Sequence, residues 1–323
     1  MRPIKLIFIS SIILLVLSMG MIMRNDTIDT AVEASNNSIE EDIEKREYRY
    51  LPITETYIDI AVEGLHSSNA ILIRLEDNKV LLEKDRTDRI YPASITKIMT
   101  TIVAIEQLTD LEEQIILDES MFQPLKEANA SMAGFEPNEQ VKAVDLLYGT
   151  MLPSGADASI GLAEEIAGSE EEFAKMMNTK AKEIGMNDTN FVNTTGLHDD
   201  NHYSTIDDLA TLMIYAMENK TFMEVFSAQS YSTEPTNIHE EGLTYTSTMF
   251  RRLSKRGLMN GEFLGGKTGY TGEAGLCLAS LSLVDGQEYA LITVGAEGNS
   301  YTEPFHLTDA INVYNSIKEV PVN

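Results

Sequence analysis

Residues 263–295 read FLGGKTGYTGEAGLCLASLSLVDGQEYALITVG, and this stretch decides the fold of the chain. It contains three runs with strand character, Phe263 to Thr271, Leu276 to Val284 and Tyr289 to Gly295. Asp285-Gly286 separates the second run from the third, and Asp-Gly between apolar runs is typical of a tight hairpin turn. We therefore predict consecutive antiparallel strands in this part of the chain.

A second group of strands is predicted near the other end of the sequence. Residues 70–75 and 80–82 are apolar runs on either side of Asp77-Asn78-Lys79, which is a hairpin signal. Between the two strand groups the apolar residues follow a helical period. This spacing is seen for Ile95, Ile98, Met99, Ile102, Ile105, Leu108, Leu146, Leu147, Met151, Leu209, Met213, Ala216 and Met217. Leu307 to Ile317 also predicts a helix, which could complete a layer over the sheet.

Together these patterns predict a mixed α/β fold of the α+β type. An antiparallel five-stranded sheet would be built from both ends of the chain and flanked by helices, with an all-helical lobe inserted between the strand groups. A cleft between the two lobes would be the natural place for a binding or catalytic site.

The composition argues against some partners and frameworks. The 323 residues include 51 Asp and Glu but only 24 Lys and Arg, a formal net charge of −27. Such a surface repels nucleic acid and anionic lipid headgroups, so neither is expected as a partner. The single cysteine, Cys277, cannot form an intramolecular disulfide, and its apolar neighbours predict a small buried side chain.

The N-terminal residues predict a targeting or anchoring segment. Arg2 and Lys5 precede a charge-free apolar run from Leu6 to Met23. Residues 1–24 are therefore interpreted as a membrane anchor or a signal peptide, and both place the body of the protein outside the cytoplasm. The nearest small-x-small cleavage pattern, Val32-Glu33-Ala34, lies well beyond the apolar run, which favours the anchor.

Two further regions follow. Residues 25–58 are polar and acidic, as in Glu40-Glu41-Asp42, and are interpreted as a solvated tether. Residues 59–320 are predicted to form the globular domain, within which no internal repeat is visible.

The stretch YPASITK, residues 91–97, is the first chemical signal. Pro92 suits a helix start, and the helical period begins directly after it. Lys97 would then lie one turn after Ser94 on the same helix face, where a lysine of lowered pKa can act as base for a serine hydroxyl. On its own, this spacing fits equally an N-cap serine followed by a surface lysine.

A glycine-rich strand carries the second signal, GGKTGYT at residues 265–271. Glycines on a strand permit another backbone to approach closely, which suits a peptide that binds along the edge. Lys267 could hold a substrate carboxylate, and its charge would help to lower the pKa of Lys97 if the two are close. The alternative is an edge strand that merely turns and carries a solvent-exposed lysine.

The third signal lies between these two in the sequence. Leu152-Pro153-Ser154-Gly155-Ala156 interrupts two helical runs and would present the Ser154 hydroxyl on a loop. An interhelical turn with a capping serine fits the same residues. The order Ser-x-x-Lys, Ser-Gly-x, Lys-Thr-Gly is nevertheless the motif set of β-lactamases and penicillin-binding proteins.

With these motifs the sequence resembles the low-molecular-mass penicillin-binding proteins, specifically the serine-type D-alanyl-D-alanine carboxypeptidase family. The resemblance extends from about Asn69 to about Ile317. It includes PASITKIMTT (92–101), residues 145–158, HYST (202–205) and KTGYTGEAGLCL (267–278). It implies a β-lactamase/DD-peptidase-like fold and removal of the terminal D-alanine from peptidoglycan stem peptides ending in D-Ala-D-Ala. It also implies covalent inhibition by β-lactams.

The resemblance also implies roles for particular residues. Ser94 would be the acylated nucleophile, Lys97 its general base, and Ser154 a proton relay to the leaving D-alanine. Lys267 and Thr268 would bind the terminal carboxylate. The backbone N–H groups of Ser94 and Tyr270 would form the oxyanion hole, and neither a cofactor nor a metal ion is implied.

This sequence departs from the family pattern in two places. The middle motif is usually Ser-x-Asn, but position 156 is alanine, and we expect slower acylation in consequence. Many members continue into a second, β-rich domain and a C-terminal amphipathic anchor. This sequence ends at Asn323, about where the catalytic domain should end, which again favours retention of the N-terminal segment.

Three alternative functions remain open at this point. A β-lactamase shares the motif order, but no segment supplies the glutamate that such an enzyme uses for deacylation. A metallo-carboxypeptidase could take ligands from His198 to His202, but it would leave the Lys-Thr-Gly strand unexplained. A catalytically weak penicillin-binding or muropeptide-binding regulatory protein is the third alternative, because of Ala156.

Overall fold

A computed structural model describes residues 64–253, 256–299 and 301–317. The strands within the described ranges are β1 (Asn69–Arg74), β2 (Lys79–Lys84), β3 (Gln114–Ile116), β4 (Gln140–Lys142), β5 (Ser230–Ser232), β6 (Thr244–Thr246), β7 (Gly261–Thr271), β8 (Gly275–Val284) and β9 (Gln287–Ala296). Five of them form the main sheet, all antiparallel, in the order β2-β1-β9-β8-β7. Pairing of β1 with β9 joins the two ends of the domain, so the predicted sheet is confirmed.

Both predicted hairpins form, and their turn residues explain why. Asn78 precedes β2 with φ +51°, while Asp285 and Gly286 connect β8 to β9 with φ +50° and +80°. Asn, Asp and Gly are the residues that adopt this left-handed region most readily. Local sequence therefore determines the connection in each pair of strands.

The helices between the strand groups form the predicted lobe. The described helices are α1 (Thr96–Gln107), α2 (Phe122–Glu127), α3 (Ala143–Met151), α4 (Ala156–Ala167), α5 (Glu170–Glu183), α6 (Ile206–Met217), α7 (Lys220–Ser227), α8 (Thr248–Leu253) and α9 (Phe305–Ser316). Helix α1 is central, because it contacts α3, α4, α5, α6 and α7. Its apolar residues Ile98, Met99 and Ile102 are buried, as their helical spacing predicts.

Helix α9 covers one face of the sheet. It packs on β8 and β9 through Leu307, Ala310, Val313 and Tyr314, all of which are buried. The Tyr314 hydroxyl oxygen lies 3.0 Å from Ser280 Oγ on β8, so the buried phenol has a polar partner. The predicted helical layer over the sheet is confirmed.

Cys277 on β8 is buried, as predicted. Burial raises the pKa of its thiol to about 12, which keeps it protonated and unreactive at neutral pH. It therefore packs as a small hydrophobic residue.

Two small sheets, β3 with β4 and β5 with β6, were not among the predicted elements. Each strand has three residues, and the pattern in β3, for example, is exposed, buried, exposed. A run this short contains too little alternation to be distinguished from a loop.

The predictions for residues 1–24 and 25–58 lie outside the described residues. Among the residues that are described, none of the helices combines the length and the apolar character that a membrane crossing requires.

Candidate active site

Ser94 and Lys97 lie at the entry to α1, as predicted. Ser94 is in a short 3₁₀ turn, Ala93–Ile95, that leads directly into the helix. Lys97 Nζ donates to the carbonyl oxygen of Thr195 over 2.6 Å, and Ser94 Oγ is 3.5 Å from the same oxygen. The serine and the lysine therefore converge on one backbone carbonyl.

The environment of Lys97 lowers the pKa of its amine. The side chain is 2% exposed, and this burial lowers the pKa to about 7, against opposing effects of the Asp157 and Glu170 charges. At neutral pH a substantial fraction of Lys97 is then the neutral amine, which can accept a proton. We expected the charge of Lys267 to contribute to this shift, but burial is its main cause.

Thr195 and Gly196 line the cavity next to Ser94, and the sequence motifs did not identify them. Gly196 has φ +76°, and a Cβ placed there would lie 1.9 Å from the carbonyl oxygen of Ala93. Only glycine permits this approach, which holds the Thr195 carbonyl beside the two side chains. A Thr-Thr-Gly triplet has no chemical signature of its own, so only the three-dimensional contact reveals it.

Gly196→Ala is expected to lower the thermal unfolding midpoint much more than Gly168→Ala does. Both glycines have left-handed backbones, with φ +76° and +78°, so both substitutions introduce the same conformational strain. At Gly168, however, a Cβ meets nothing within 4 Å, whereas at Gly196 it overlaps the backbone. Thermal unfolding of both variants measures the difference, and equal midpoints would show that the overlap relaxes freely.

Ser154 and Lys267 form the second polar pair. Lys267 Nζ donates to Ser154 Oγ over 2.7 Å and to the Thr268 carbonyl oxygen over 2.9 Å. Ser154 has φ +66°, a conformation uncommon for a residue with a side chain. Two residues 113 positions apart in sequence are thus held together by a buried hydrogen bond.

Lys267 is not the solvent-exposed residue of the alternative interpretation, since it is 0% exposed. Burial, and then the charge of Lys97, lowers its pKa well below the ordinary lysine value. Two buried ammonium groups close together disfavour one another, so the charge of Lys97 opposes protonation of Lys267.

The strand β7 presents the rest of its motif to the same place. Thr268 Oγ1 is 2.7 Å from Thr248 Oγ1 at the start of α8. A Cβ on Gly269 would come within 3.0 Å of the Ser94 backbone nitrogen, so the strand lies directly against the serine turn. Tyr270 follows, partly exposed.

A cavity of about 1010 Å³ joins these groups. Of the predicted site residues, Ser94, Lys97, Ser154, Thr268 and Tyr270 line it. Lys267 stands behind Ser154 and does not line the cavity. The structure therefore brings all three motifs to one cavity, with one lysine in direct contact and the other acting from behind.

Comparison with known proteins identifies the family of this chain. Residues 58–298 match the family model for D-alanyl-D-alanine carboxypeptidases. The chain is 36% identical over 239 residues to the D-alanyl-D-alanine carboxypeptidase DacF of Bacillus subtilis, covering 71% of this chain and 57% of that protein. The chain belongs to the D-alanyl-D-alanine carboxypeptidase family.

Two further relatives support this membership. The D-alanyl-D-alanine endopeptidase of Escherichia coli is 30% identical over 254 residues, covering 76% of this chain and 74% of that protein. The crystal structure of the Streptomyces K15 DD-transpeptidase is 25% identical, with a TM-score of 0.70, and the match covers 78% of this chain and 97% of that one. The predicted family resemblance and its DD-peptidase-like fold are confirmed.

Ala156, where the motif of this carboxypeptidase family usually has asparagine, is buried and lines the cavity. Its backbone N–H donates to the Ser131 carbonyl oxygen over 2.7 Å. The neighbouring Asp157 does not replace the amide. Its carboxylate accepts hydrogen bonds from three consecutive backbone N–H groups, those of Ala133, Gly134 and Phe135, and so fixes residues 133–135.

His202, from the family-like HYST segment, has a structural role in this domain. Its Nδ1 accepts from the Val192 backbone N–H at 3.1 Å, which leaves the proton on Nε2, 2.7 Å from Thr96 Oγ1. Burial lowers its pKa to about 4. The ring of His202 therefore connects Val192, three residues before Thr195, to Thr96 at the start of α1.

Proposed function

We propose that this chain is a penicillin-sensitive serine D-alanyl-D-alanine carboxypeptidase that forms an acyl-enzyme on Ser94. The observation that carries the proposal is the convergence of Ser94 Oγ and Lys97 Nζ on the Thr195 carbonyl, with the pKa of Lys97 lowered to about 7. The substrate would be a peptidoglycan stem peptide ending in D-Ala-D-Ala. Since the chain spans 57% of the Bacillus subtilis relative, its activity is inferred from its own site.

Acylation would begin at Ser94. Neutral Lys97 takes the hydroxyl proton while Ser94 Oγ bonds to the carbonyl carbon of the penultimate D-alanine. The backbone N–H groups of Ser94 and Tyr270 would stabilise the developing oxyanion, because Gly269 brings β7 against the serine turn. The peptide C–N bond then breaks and leaves an acyl ester on Ser94.

The leaving amine requires a proton, and Ser154 is placed to relay it. Its hydroxyl receives a hydrogen bond from Lys267 Nζ, so the pair can pass a proton to the departing D-alanine. Thr268, which lines the cavity, would hold the terminal carboxylate through its hydroxyl. Lys267 would add its charge from behind this pair. The proton that Lys97 took from Ser94 would replace the one that this pair gives to the amine, so Lys97 is again neutral. Water would then attack the acyl ester: Lys97 takes a proton from the water as its oxygen bonds to the acyl carbon, and delivers that proton to the departing Ser94 Oγ, which releases the product acid and restores the serine hydroxyl.

The place of action that fits this substrate is outside the cytoplasmic membrane. Cell-wall stem peptides are exposed there, and the N-terminal segment of the sequence is interpreted as an anchor or a signal peptide. β-Lactams would enter the same cavity and acylate Ser94.

The proposed function is tested by two measurements on the full chain. Intact mass after incubation with benzylpenicillin should show one covalent adduct per chain, and a pentapeptide ending in D-Ala-D-Ala should release one D-alanine. If the protein binds muropeptide but acquires no adduct and releases no D-alanine, the alternative is correct: a regulatory binding protein in which alanine at position 156 accompanies the loss of catalysis.

Ala156→Asn is expected to increase the second-order rate of acylation by benzylpenicillin. An amide at position 156 could add a hydrogen bond, whose net value of about 0.5–1.5 kcal/mol corresponds to a rate gain of about two- to tenfold. Ala156→Leu adds similar volume without the amide and is the control. An unchanged or lower rate for the asparagine variant, with normal unfolding, would show that the pocket is built around alanine.

A further inference from the structure

The cavity extends beyond the proposed catalytic groups. Its lining also includes Arg251, Arg252, Asn299, Tyr301 and His306, and we call this group of residues the basic end. None of the roles proposed above for a substrate that ends in D-alanine uses a residue of the basic end.

The basic end lies on the leaving-group side of the site. Thr248, the first residue of α8, is hydrogen-bonded to Thr268, where the terminal carboxylate is placed. Arg251 and Arg252 follow Thr248 by three and four residues, so they lie one helical turn further on the same face. A group reaching them would be attached to the leaving half of the substrate.

The two arginines have no acidic partner. In the described ranges, no carboxylate comes within ion-pair distance of either one, although acidic residues outnumber basic residues 51 to 24 in the sequence. Arg252 donates to the Thr302 carbonyl oxygen at 3.2 Å. Its pKa is lowered by burial and then by the charge of Arg251, so the cavity holds positive charge that an anion would neutralise.

His306 supplies a second, independent observation. The residue is 0% exposed and lines the cavity, and neither ring nitrogen has a hydrogen-bond partner among the described residues. Burial, and then the charge of Arg252, lowers its pKa to about 3, so the ring is neutral and has one N–H to donate. A buried donor without an acceptor is unfavourable, and a bound acceptor would remove that cost. Tyr301, 98% exposed, stands at the rim.

We propose that the basic end binds a second carboxylate carried by the leaving group, so that the enzyme accepts acidic leaving amino acids as well as D-alanine. The inference rests on the proposed function for its orientation. The α-carboxylate of such a leaving group would remain at Thr268, and its additional carboxylate would reach Arg252 and the N–H of His306. Hydrolysis would proceed as for D-alanine, with the proton delivered to the α-amino group of the acidic leaving amino acid.

Binding to the full chain carrying Ser94→Ala tests the proposal without turnover. Calorimetry would compare N-acetyl-D-Ala-D-Glu with N-acetyl-D-Ala-D-Gln, which have the same shape and differ by one charge. We expect the glutamate peptide to bind about tenfold more tightly, as a charge-assisted pair allows. The net charge of −27 would otherwise repel the additional carboxylate, so a general electrostatic effect has the opposite sign.

Arginine variants in the same background locate the effect. Arg252→Gln should remove most of the preference, Arg252→Lys should keep part of it, and Arg251→Gln covers the case in which position 252 does not tolerate change. Arg256→Gln is the matched control, since Arg256 pairs with Glu303 and does not line the cavity. Equal affinities for the two peptides, undetectable binding of both, or a preference that survives the double Arg251→Gln, Arg252→Gln change would overturn the proposal.

The result is separable from that of the proposed function. D-Alanine release by the parent chain tests the carboxypeptidase activity and does not require the basic end. A preference for the glutamate peptide in a chain that releases no D-alanine would reject the activity and keep the anion site. Activity without the preference would reject the anion site alone.

Discussion

Ser94→Ala is expected to abolish covalent labelling by benzylpenicillin and the release of D-alanine, while the thermal unfolding midpoint changes little. The hydroxyl makes one long contact, 3.5 Å to the Thr195 carbonyl oxygen, so its removal costs little folding free energy. The same change removes the atom that must bond to the substrate carbonyl, and Lys97 then has no hydroxyl to deprotonate. Intact mass, D-alanine release and thermal unfolding measure the three expectations.

Ser120→Ala provides the matched control for this prediction. Ser120 is exposed and does not line the cavity, so labelling and turnover should equal those of the parent. Labelling of the Ser94 variant at full stoichiometry would refute the assignment of the nucleophile. Peptide mapping would then show whether Ser154, the other serine of the motif set, carries the adduct.

The strand pairs within each group could be predicted from the sequence because each hairpin is a local event. Asp285-Gly286 and Asp77-Asn78-Lys79 determine which strands are neighbours there. One sheet built from both strand groups was also predicted, but the pairing of β1 with β9 was not, because no local signal specifies a contact between distant parts of the chain. The three-residue strands were too short to show an apolar pattern.

The candidate site was predictable only where a side chain carries chemistry. Ser94, Lys97, Ser154 and Lys267 are found in recognisable motifs, and the structure brings them together. Thr195 contributes a backbone carbonyl, which any residue has, and it lies about a hundred positions from Ser94 in sequence. A sequence pattern cannot indicate such a backbone contact. It also shows that Lys97 and Lys267 carry amines, but not that both side chains are buried.

Burial is also the reason why we expect acylation to depend on the ionisation of Lys97. Its pKa is lowered to about 7, and the neutral amine is the form that accepts the serine proton. Below pH 7 the rate of acylation by benzylpenicillin should therefore fall about tenfold for each pH unit, in proportion to the neutral fraction. Above pH 7 the rate should level off, and stopped-flow measurements between about pH 5 and pH 9 follow it.

Lys97→Arg should reduce this rate by about a hundredfold to ten-thousandfold and remove its dependence on pH. A guanidinium stays protonated at all accessible pH values and cannot act as the base. Lys126→Arg, at an exposed position on α2, is the control and should leave both the acylation rate and its pH profile unchanged.

Lys267 is the other buried lysine with a lowered pKa, so Lys267→Gln decides which of the two lysines is the base. If the residual acylation rate of the Lys267 variant still rises with pH, the pH dependence is due to Lys97. If that rate no longer changes with pH, the titrating base has been assigned to the wrong lysine.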